Sequence, residues 1–327
     1  RNLRYCSKVH KKMRYILGID TSSYTTSVAL IKEESNEILA DERKVLEVKK
    51  GQKGLRQQEA VFQHLKNLPE LYEKIPYDLS NIKIVSVSSK PRNAENSYMP
   101  VFIAGRNFGK VISDTLNCEF LEYSHQENHI AASIINNYKN IDEFLAVHIS
   151  GGTTEFLSCN KAIKGFDIKI VGGTKDITFG QLIDRLGIMM GFIFPCGKYM
   201  EEYIKDKTFE KITRPRLIKG SYINLSGMEN YFGNLLNKYS KEVIITSLFD
   251  YIAEYIVHII SSLSHLQHKT LIISGGVASN SYIRNYITKS VKGYEVLFPA
   301  VNNSSDNALG LAYLPIIDRW HNEIKTN

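Results

Sequence analysis

The chain has 327 residues, 43% of them hydrophobic and 23% charged, with a formal charge of +7. That length can bury a large core and split into two domains, and the composition excludes a collagen-like, disordered or disulfide-framed protein. No apolar run reads as a membrane span, and residues 1–12 carry five cations and no acid but no apolar signal core behind them.

Without that basic tail the charge falls to +2, so the folded body does not advertise nucleic-acid binding by net charge, although a basic tail is compatible with it. Met13, directly before the first strand, reads as the natural start. Cys6, Cys118, Cys159 and Cys196 show no paired spacing and read as free thiols of a reducing cytoplasm.

In chain order, residues 14–20 read as a buried strand, 25–32 as its return and 37–48 as a third strand. Residues 57–75 carry apolar positions at helical spacing. A strand at 82–88, a helix at 100–117, a short strand around Leu121 and a helix at 125–138 complete one α/β unit. The pattern then restarts: strands at 144–150 and 154–158, and helices at about 176–191 and 198–206. A stretch with Pro215 and Gly220 follows, then helices near 229–238 and 241–266. A strand at 271–274, a helix at 277–290, a short strand near 294–298 and a last helix from about 306 close the chain. Each half opens with a strand, a glycine or hydroxyl turn and a return strand.

His125 and His129 stand one helical turn apart, so both rings share a helix face roughly 5–6 Å apart at Cβ. Two imidazoles at that spacing can grip one metal ion, and Asp306, where the last helix begins, offers a third ligand. Two His and a carboxylate leave coordination positions open. With nine histidines in the chain, a chance pair is the bland alternative. Glu127, at i+2, points away from the shared face, so the pattern is not that of a zinc peptidase. No Ser-His-Asp or Cys-His arrangement stands out, so no catalytic nucleophile is assigned.

Three strand ends carry small or hydroxylated residues: Gly18-Ile-Asp-Thr-Ser-Ser23, Ser150-Gly-Gly-Thr-Thr154 and Ser274-Gly-Gly-Val-Ala-Ser-Asn280. Glycine admits close approach of a phosphate, and the third turn opens a helix whose N-terminus favours an anion. One such turn is commonly a tight loop. Three together suggest a nucleotide in a cleft between two domains.

These motifs, with Gly180-Gln-Leu-Ile-Asp184-Arg, Phe194-Pro-Cys-Gly197, Leu225-Ser-Gly227 and Ser305-Asp-Asn-Ala, resemble the TsaD/Gcp family from about Tyr15 to Tyr313. That family comprises the tRNA threonylcarbamoyladenosine transferases, formerly called O-sialoglycoprotein endopeptidases. The resemblance implies an α/β fold of the actin–hexokinase–Hsp70 superfamily, two ribonuclease-H-like subdomains around a nucleotide cleft. The expected boundaries are 13–138 with 307–327 for the first subdomain and 139–306 for the second. The second would carry a helical insertion at about 190–240, and residues 1–12 would be a basic tail.

By the same resemblance, His125, His129 and Asp306 hold one divalent metal, iron or zinc. ATP or threonylcarbamoyl-AMP sits on Ser150, Gly151, Gly152, Thr153, Asp184, Gly197, Gly275, Gly276 and Asn280. The implied activity is metal-dependent transfer of a threonylcarbamoyl group from threonylcarbamoyl-AMP to N6 of the adenine next to the tRNA anticodon. It would run in the cytoplasm, away from membranes, with TsaB-like and TsaE-like partners. The alternatives are a paralogous carbamoyl- or acyl-transferase with another acceptor, and a non-catalytic partner-binding member.

The chain departs from the family pattern at Lys90-Pro91-Arg92 (Gly-Pro-Gly expected), Thr153 (His), Ile177 (a second acid), Gln181 (Glu), Cys196 (Gly) and Glu229 (Lys). Lys90 and Arg92 are either solvated or turned toward an anionic acceptor.

Overall fold

Tyr-Ile-Leu-Gly-Ile-Asp forms β1 (Tyr15–Asp20), with all six residues buried. A strand without polar alternation is one covered on both faces. The return strand β2 (Thr25–Lys32) and then β3 (Glu37–Val45) pair antiparallel on one side of it. On the other side β4 (Ile82–Lys90) and β5 (Glu119–Ser124) run parallel, giving the order β3-β2-β1-β4-β5. Parallel neighbours need crossovers. Helices α1 (Gln57–Glu73) and α2 (Val101–Leu116) lie in those connections, and α3 (His125–Ile134) follows β5 without a break. The computed structural model describes residues 13–22, 24–48, 55–135, 142–205, 209–213, 220–299, 303 and 306–326. The basic tail, the stretch around Pro215, Ser305 and Cys6 lie outside them.

The second sheet repeats this connectivity. From β6 (Glu143–Ile149), the strands β7 (Thr154–Lys161) and β8 (Phe166–Thr174) return antiparallel on one side. On the other side β10 (Thr270–Ser274) and β11 (Glu295–Leu297) run parallel, and the two-residue β9 (Tyr222–Ile223) extends the far edge. The helices are α4 (Phe179–Met189), α5 (Cys196–Tyr203), α6 (Ser226–Leu235), α7 (Lys241–Ser262) and α8 (Ser281–Ser290), and the chain closes on α9 (Leu309–Thr326).

The chain divides into two compact units, one of Arg1–Ala131 with Asp306–Glu323, the other of Ala132–Ser305 with Ile324–Asn327. In the first, Leu17, Ile19, Val28, Leu30, Val85 and Val87 form the sheet side of the core. In the second, Leu145, Val147, Ile149 and Phe156 pack with α4 and α7. Asp306 falls in the same unit as His125 and His129.

Three expectations change. β8 lies where the sequence pattern predicts no strand, because its Gly172-Gly173 pair looks like a turn although it lies inside the strand. The helix expected at 277–290 is a 3-10 turn at Gly276–Ser279 followed by α8, with Asn280 extended between them. An apolar stretch long enough to cross a membrane does exist, since α7 has 22 residues and qualifies by length and composition. Of its apolar window, 78% is buried in the protein, which is the behaviour of a core helix.

Candidate metal centre and nucleotide turns

The first unit builds the candidate metal site from three elements. α3 begins at His125 because Ser124 and Glu127 cap it reciprocally. Glu127 Oε2 accepts from the Ser124 N–H and hydroxyl, both at 2.7 Å, and Ser124 Oγ accepts from the Glu127 N–H at 3.2 Å. Glu127 therefore closes the helix end, turned away from the histidines. Asn128, fully buried, joins α3 to the start of α9. Its amide donates to Asn307 O at 2.5 Å and its carbonyl accepts from Leu311 N–H at 2.9 Å. The residue before Asn307 is Asp306, so this clamp sets where the third ligand stands.

The donor atoms converge. His125 Nε2 and His129 Nε2 are 2.9 Å apart, and Asp306 Oδ1 lies 3.7 Å from the first and 3.3 Å from the second. One ligand atom from each residue fits within 4.8 Å of the others. Behind them, Asp20 at the end of β1 is fully buried, with Oδ1 3.3 Å from His125 Nδ1. Ser22 donates to its Oδ2 at 2.5 Å, and Ser88 donates to Oδ1. A proton on His125 Nδ1 shared with Asp20 leaves the Nε2 lone pair facing the other two donors, the carboxylate–histidine arrangement of metal sites. Burial alone pushes His125 down, but the Asp20 carboxylate, helped by Asp306, outweighs it and the imidazole is held above its ordinary value. Three electron-rich atoms aimed at one point, in surroundings that favour positive charge, fit a divalent cation.

The second unit gathers the nucleotide-type residues. In the turn after β6, Ser150 Oγ accepts from the N–H groups of Gly152 (3.3 Å) and Thr153 (3.1 Å), while Ser150 N–H donates to Thr153 O at 2.8 Å. A Cβ added at Gly151 or Gly152 would meet nothing within 4 Å, so space opens in front of both. The Thr178 hydroxyl donates to Gly151 O at 2.8 Å and forms a capping box with Gln181, fixing α4 against the turn. Gln serves this cap as Glu does, so the Gln181 departure keeps the local fold.

Asp184 on α4 accepts from the Cys196 N–H at 2.7 Å. That bond ties it to the first turn of α5, where Gly197 lies. Burial raises the Asp184 carboxyl, and this one bond opposes the rise. β10 ends beside β6, and Gly275 takes φ +99 where a Cβ would sit 2.2 Å from Ile149 O, so only glycine suits the position. Gly276 opens the 3-10 turn, and Asn280 caps α8 through Ile283 N–H at 3.0 Å.

Glu201, like Asp20 and Asn128, carries a role that the sequence does not announce. Glu201 Oε1 accepts from Ser281 N–H at 2.8 Å and its hydroxyl at 2.5 Å. The α8 N-terminus, expected to favour an anion, thus already carries a carboxylate and the Asn280 side chain. The place of Glu201 four residues past Gly197, on the same helix face, is the one local cue, and it does not point to Ser281 as the partner.

The other departures have local accounts. Ile177 is buried in the core of its unit, where a second carboxylate would be desolvated. The neighbouring Asp176 accepts from Leu225, Ser226 and Ile177 N–H groups. Its burial pushes the carboxyl up, but the backbone donors win and hold it at about 2. Cys196 is buried against Gly187, and its thiol donates to Asp184 O at 3.4 Å. Glu229 pairs with Arg185 at 2.9 Å.

The family model for TsaD, tRNA N6-adenosine threonylcarbamoyltransferase, matches residues 39–313. A tRNA N6-adenosine threonylcarbamoyltransferase from Thermotoga neapolitana is 27% identical over 310 residues, covering 91% of this chain and 92% of the relative. Among solved structures, the activator of the 2-hydroxyisocaproyl-CoA dehydratase from Clostridium difficile superposes with a TM-score of 0.55 at 16% identity over 95% of this chain and 97% of its own. A ROK family glucokinase from Streptomyces griseus gives 0.52 at 10% identity over 92% and 98%. The fold is that of the actin–hexokinase–Hsp70 superfamily.

Proposed function

The chain belongs to the TsaD family of tRNA N6-adenosine threonylcarbamoyltransferases, and from that premise we propose the finer chemistry. The chain moves a threonylcarbamoyl group from threonylcarbamoyl-AMP to N6 of the adenine next to the anticodon, with one divalent metal, iron or zinc. The observation that carries this reading is the convergence of His125, His129 and Asp306, backed by Asp20, in a chain whose surroundings depart from the family pattern at six places.

His125 Nε2, His129 Nε2 and Asp306 would hold the ion. Asp20 keeps the His125 proton on Nδ1, and Asn128 keeps α3 and the α9 start together. When bound, the metal supplies a fixed positive charge for carbonyl or phosphate oxygens. In the second unit, the open space beside the Cα atoms of Gly151 and Gly152 would let a phosphate approach the turn closely, and Asp184 offers a carboxylate for a ribose hydroxyl. Thr153, Gly197, Gly275, Gly276 and Asn280 shape the same set of turns. No side chain is assigned as nucleophile; the acceptor amine attacks the carbonyl carbon and AMP departs with the phosphate oxygen. TsaB-like and TsaE-like partners and a cytoplasmic setting accompany this reading.

Purified protein, reconstituted with iron or zinc and incubated with threonylcarbamoyl-AMP and an unmodified tRNA transcript, tests it. Threonylcarbamoyladenosine in the digested RNA supports the proposal. Adenylate binding without any modified nucleoside favours a paralogue with another acceptor.

A further inference from the structure

Residues 90–98, Lys-Pro-Arg-Asn-Ala-Glu-Asn-Ser-Tyr, are where the chain departs most visibly from a compact glycine turn, and the structure holds them at both ends. β4 finishes at Lys90, register-paired with Ser124, the residue before the first histidine. Gln126 N–H then donates to Pro91 O at 3.1 Å, pinning the loop to the first turn of α3. At the far end Met99 packs on Leu46, Ala60, Val101 and Phe102, and the Phe102 ring stands 6.3 Å from that of His125. Inside the loop Arg92 N–H donates to Ser97 Oγ at 3.0 Å and Ser97 N–H to Ala94 O at 3.3 Å. Asn96 takes the left-handed conformation at φ 59, which asparagine tolerates.

This anchored loop displays a particular chemistry. Tyr98 leaves 64% of its surface in solvent, and no ring among the described residues is stacked on it. The Lys90 ammonium donates to Asn93 Oδ1 at 2.8 Å, and among the described residues no carboxylate reaches it. Arg92 and Asn93 are exposed. Glu95 is the single acid in the segment. Cations for phosphates, an amide for base edges and a wet aromatic face are the combination that recognises unpaired nucleic acid, because a base can stack on the ring only when it is not already paired and stacked.

We propose that residues 90–98 dock the unpaired loop of the acceptor RNA, with Tyr98 stacking on a base and Lys90 and Arg92 meeting flanking phosphates. This rests on the tRNA reading of the chain's function and assigns that reading a surface. A loop tied to the first turn of the histidine helix would bring the acceptor beside the metal ligands.

The test uses the full chain and two labelled probes: an anticodon stem-loop RNA, and a fully paired duplex of the same stem. Binding is measured across salt concentrations for wild type, Lys90→Ala with Arg92→Ala, Tyr98→Ala, Tyr98→Phe, and a distant control of Lys289→Ala with Lys292→Ala. Removing two single-strand phosphate contacts should flatten the salt slope by about 1.4. Tyr98→Ala should weaken stem-loop binding about tenfold and erase its preference over duplex, with Tyr98→Phe retaining both. An unchanged slope in the double variant, an equal loss in the distant control, or equal effects of Tyr98→Ala on both probes would overturn the docking loop while leaving the tRNA reading standing. A wild type without affinity for either RNA would overturn both. Matching melting temperatures guard against misfolding as the cause.

Discussion

Asp20 Oδ1 stands 3.3 Å from His125 Nδ1, joining the end of β1 to the first residue of α3 across 105 positions of sequence. Asp20 is fully buried and also accepts from Ser22 and Ser88. Burial pushes its carboxyl up, but His125 and the two hydroxyls reverse this and keep it below the ordinary carboxylate range. An ionised carboxylate at that place orients the imidazole and makes it a better donor. Replacing Asp20 with Asn should lower metal affinity by roughly 10–100-fold, the usual cost of losing such a partner. Competition with a chromophoric chelator measures it, and an affinity equal to wild type would remove Asp20 from the site.

One metal per chain is expected, and the His125→Ala, His129→Ala double variant should carry almost none. Elemental analysis of both proteins after identical loading decides this. Equal content would place the metal elsewhere.

Asn128→Ala should destabilise the protein by about 1–3 kcal/mol, because it strands Asn307 O and Leu311 N–H in the interior. The same variant should bind metal more weakly although no ligand is altered, since the clamp fixes Asp306. Urea unfolding and the chelator assay together separate the two effects.

The fold was legible where periodicity is strong. The first four elements and the two Gly-Gly turns were placed correctly because apolar runs and turn residues agree there. β8 escaped because two glycines interrupt its pattern, and the α8 start was misread because an apolar turn, Gly276–Ser279, imitates the helix that follows it. The grouping of His125, His129 and Asp306 was visible as residue types and spacing. Asp20, Asn128 and Glu201 were not, because each acts on a partner at least 80 positions away in sequence and no local pattern announces such a partner.

Gly18→Ala should destabilise by about 1–3 kcal/mol through overpacking. Its Cβ would lie 2.3 Å from Ala308 O and 2.8 Å from Ala312 N, where the last helix presses on β1. Thermal melts check this, and a neutral effect would mean that the helix shifts at little cost.

Asp176 supplies a pH signature. Against the desolvation that raises it, its carboxyl is held at about 2 by the Leu225 N–H, the Ser226 side chain and the Ser226 and Ile177 N–H groups, below the roughly 3.9 of an unfolded chain. A depressed folded value contributes stability that is present above about 4 and is lost as pH falls toward 2. Asp176→Asn should therefore flatten the melting-temperature profile between about pH 4 and 2, and an unchanged profile would mean that these donors do not favour the ionised form.

Transfer of threonylcarbamoyl to tRNA is proposed for a chain that keeps His125, His129 and Asp306 together while six neighbouring positions depart from the family pattern. The most direct measurement is nucleoside analysis of tRNA from cells that lack their own transferase and express this chain, with the His125→Ala, His129→Ala variant beside it. Threonylcarbamoyladenosine restored by the first and absent with the second is the predicted result. Soluble, metal-loaded wild type that leaves the tRNA unmodified would contradict it.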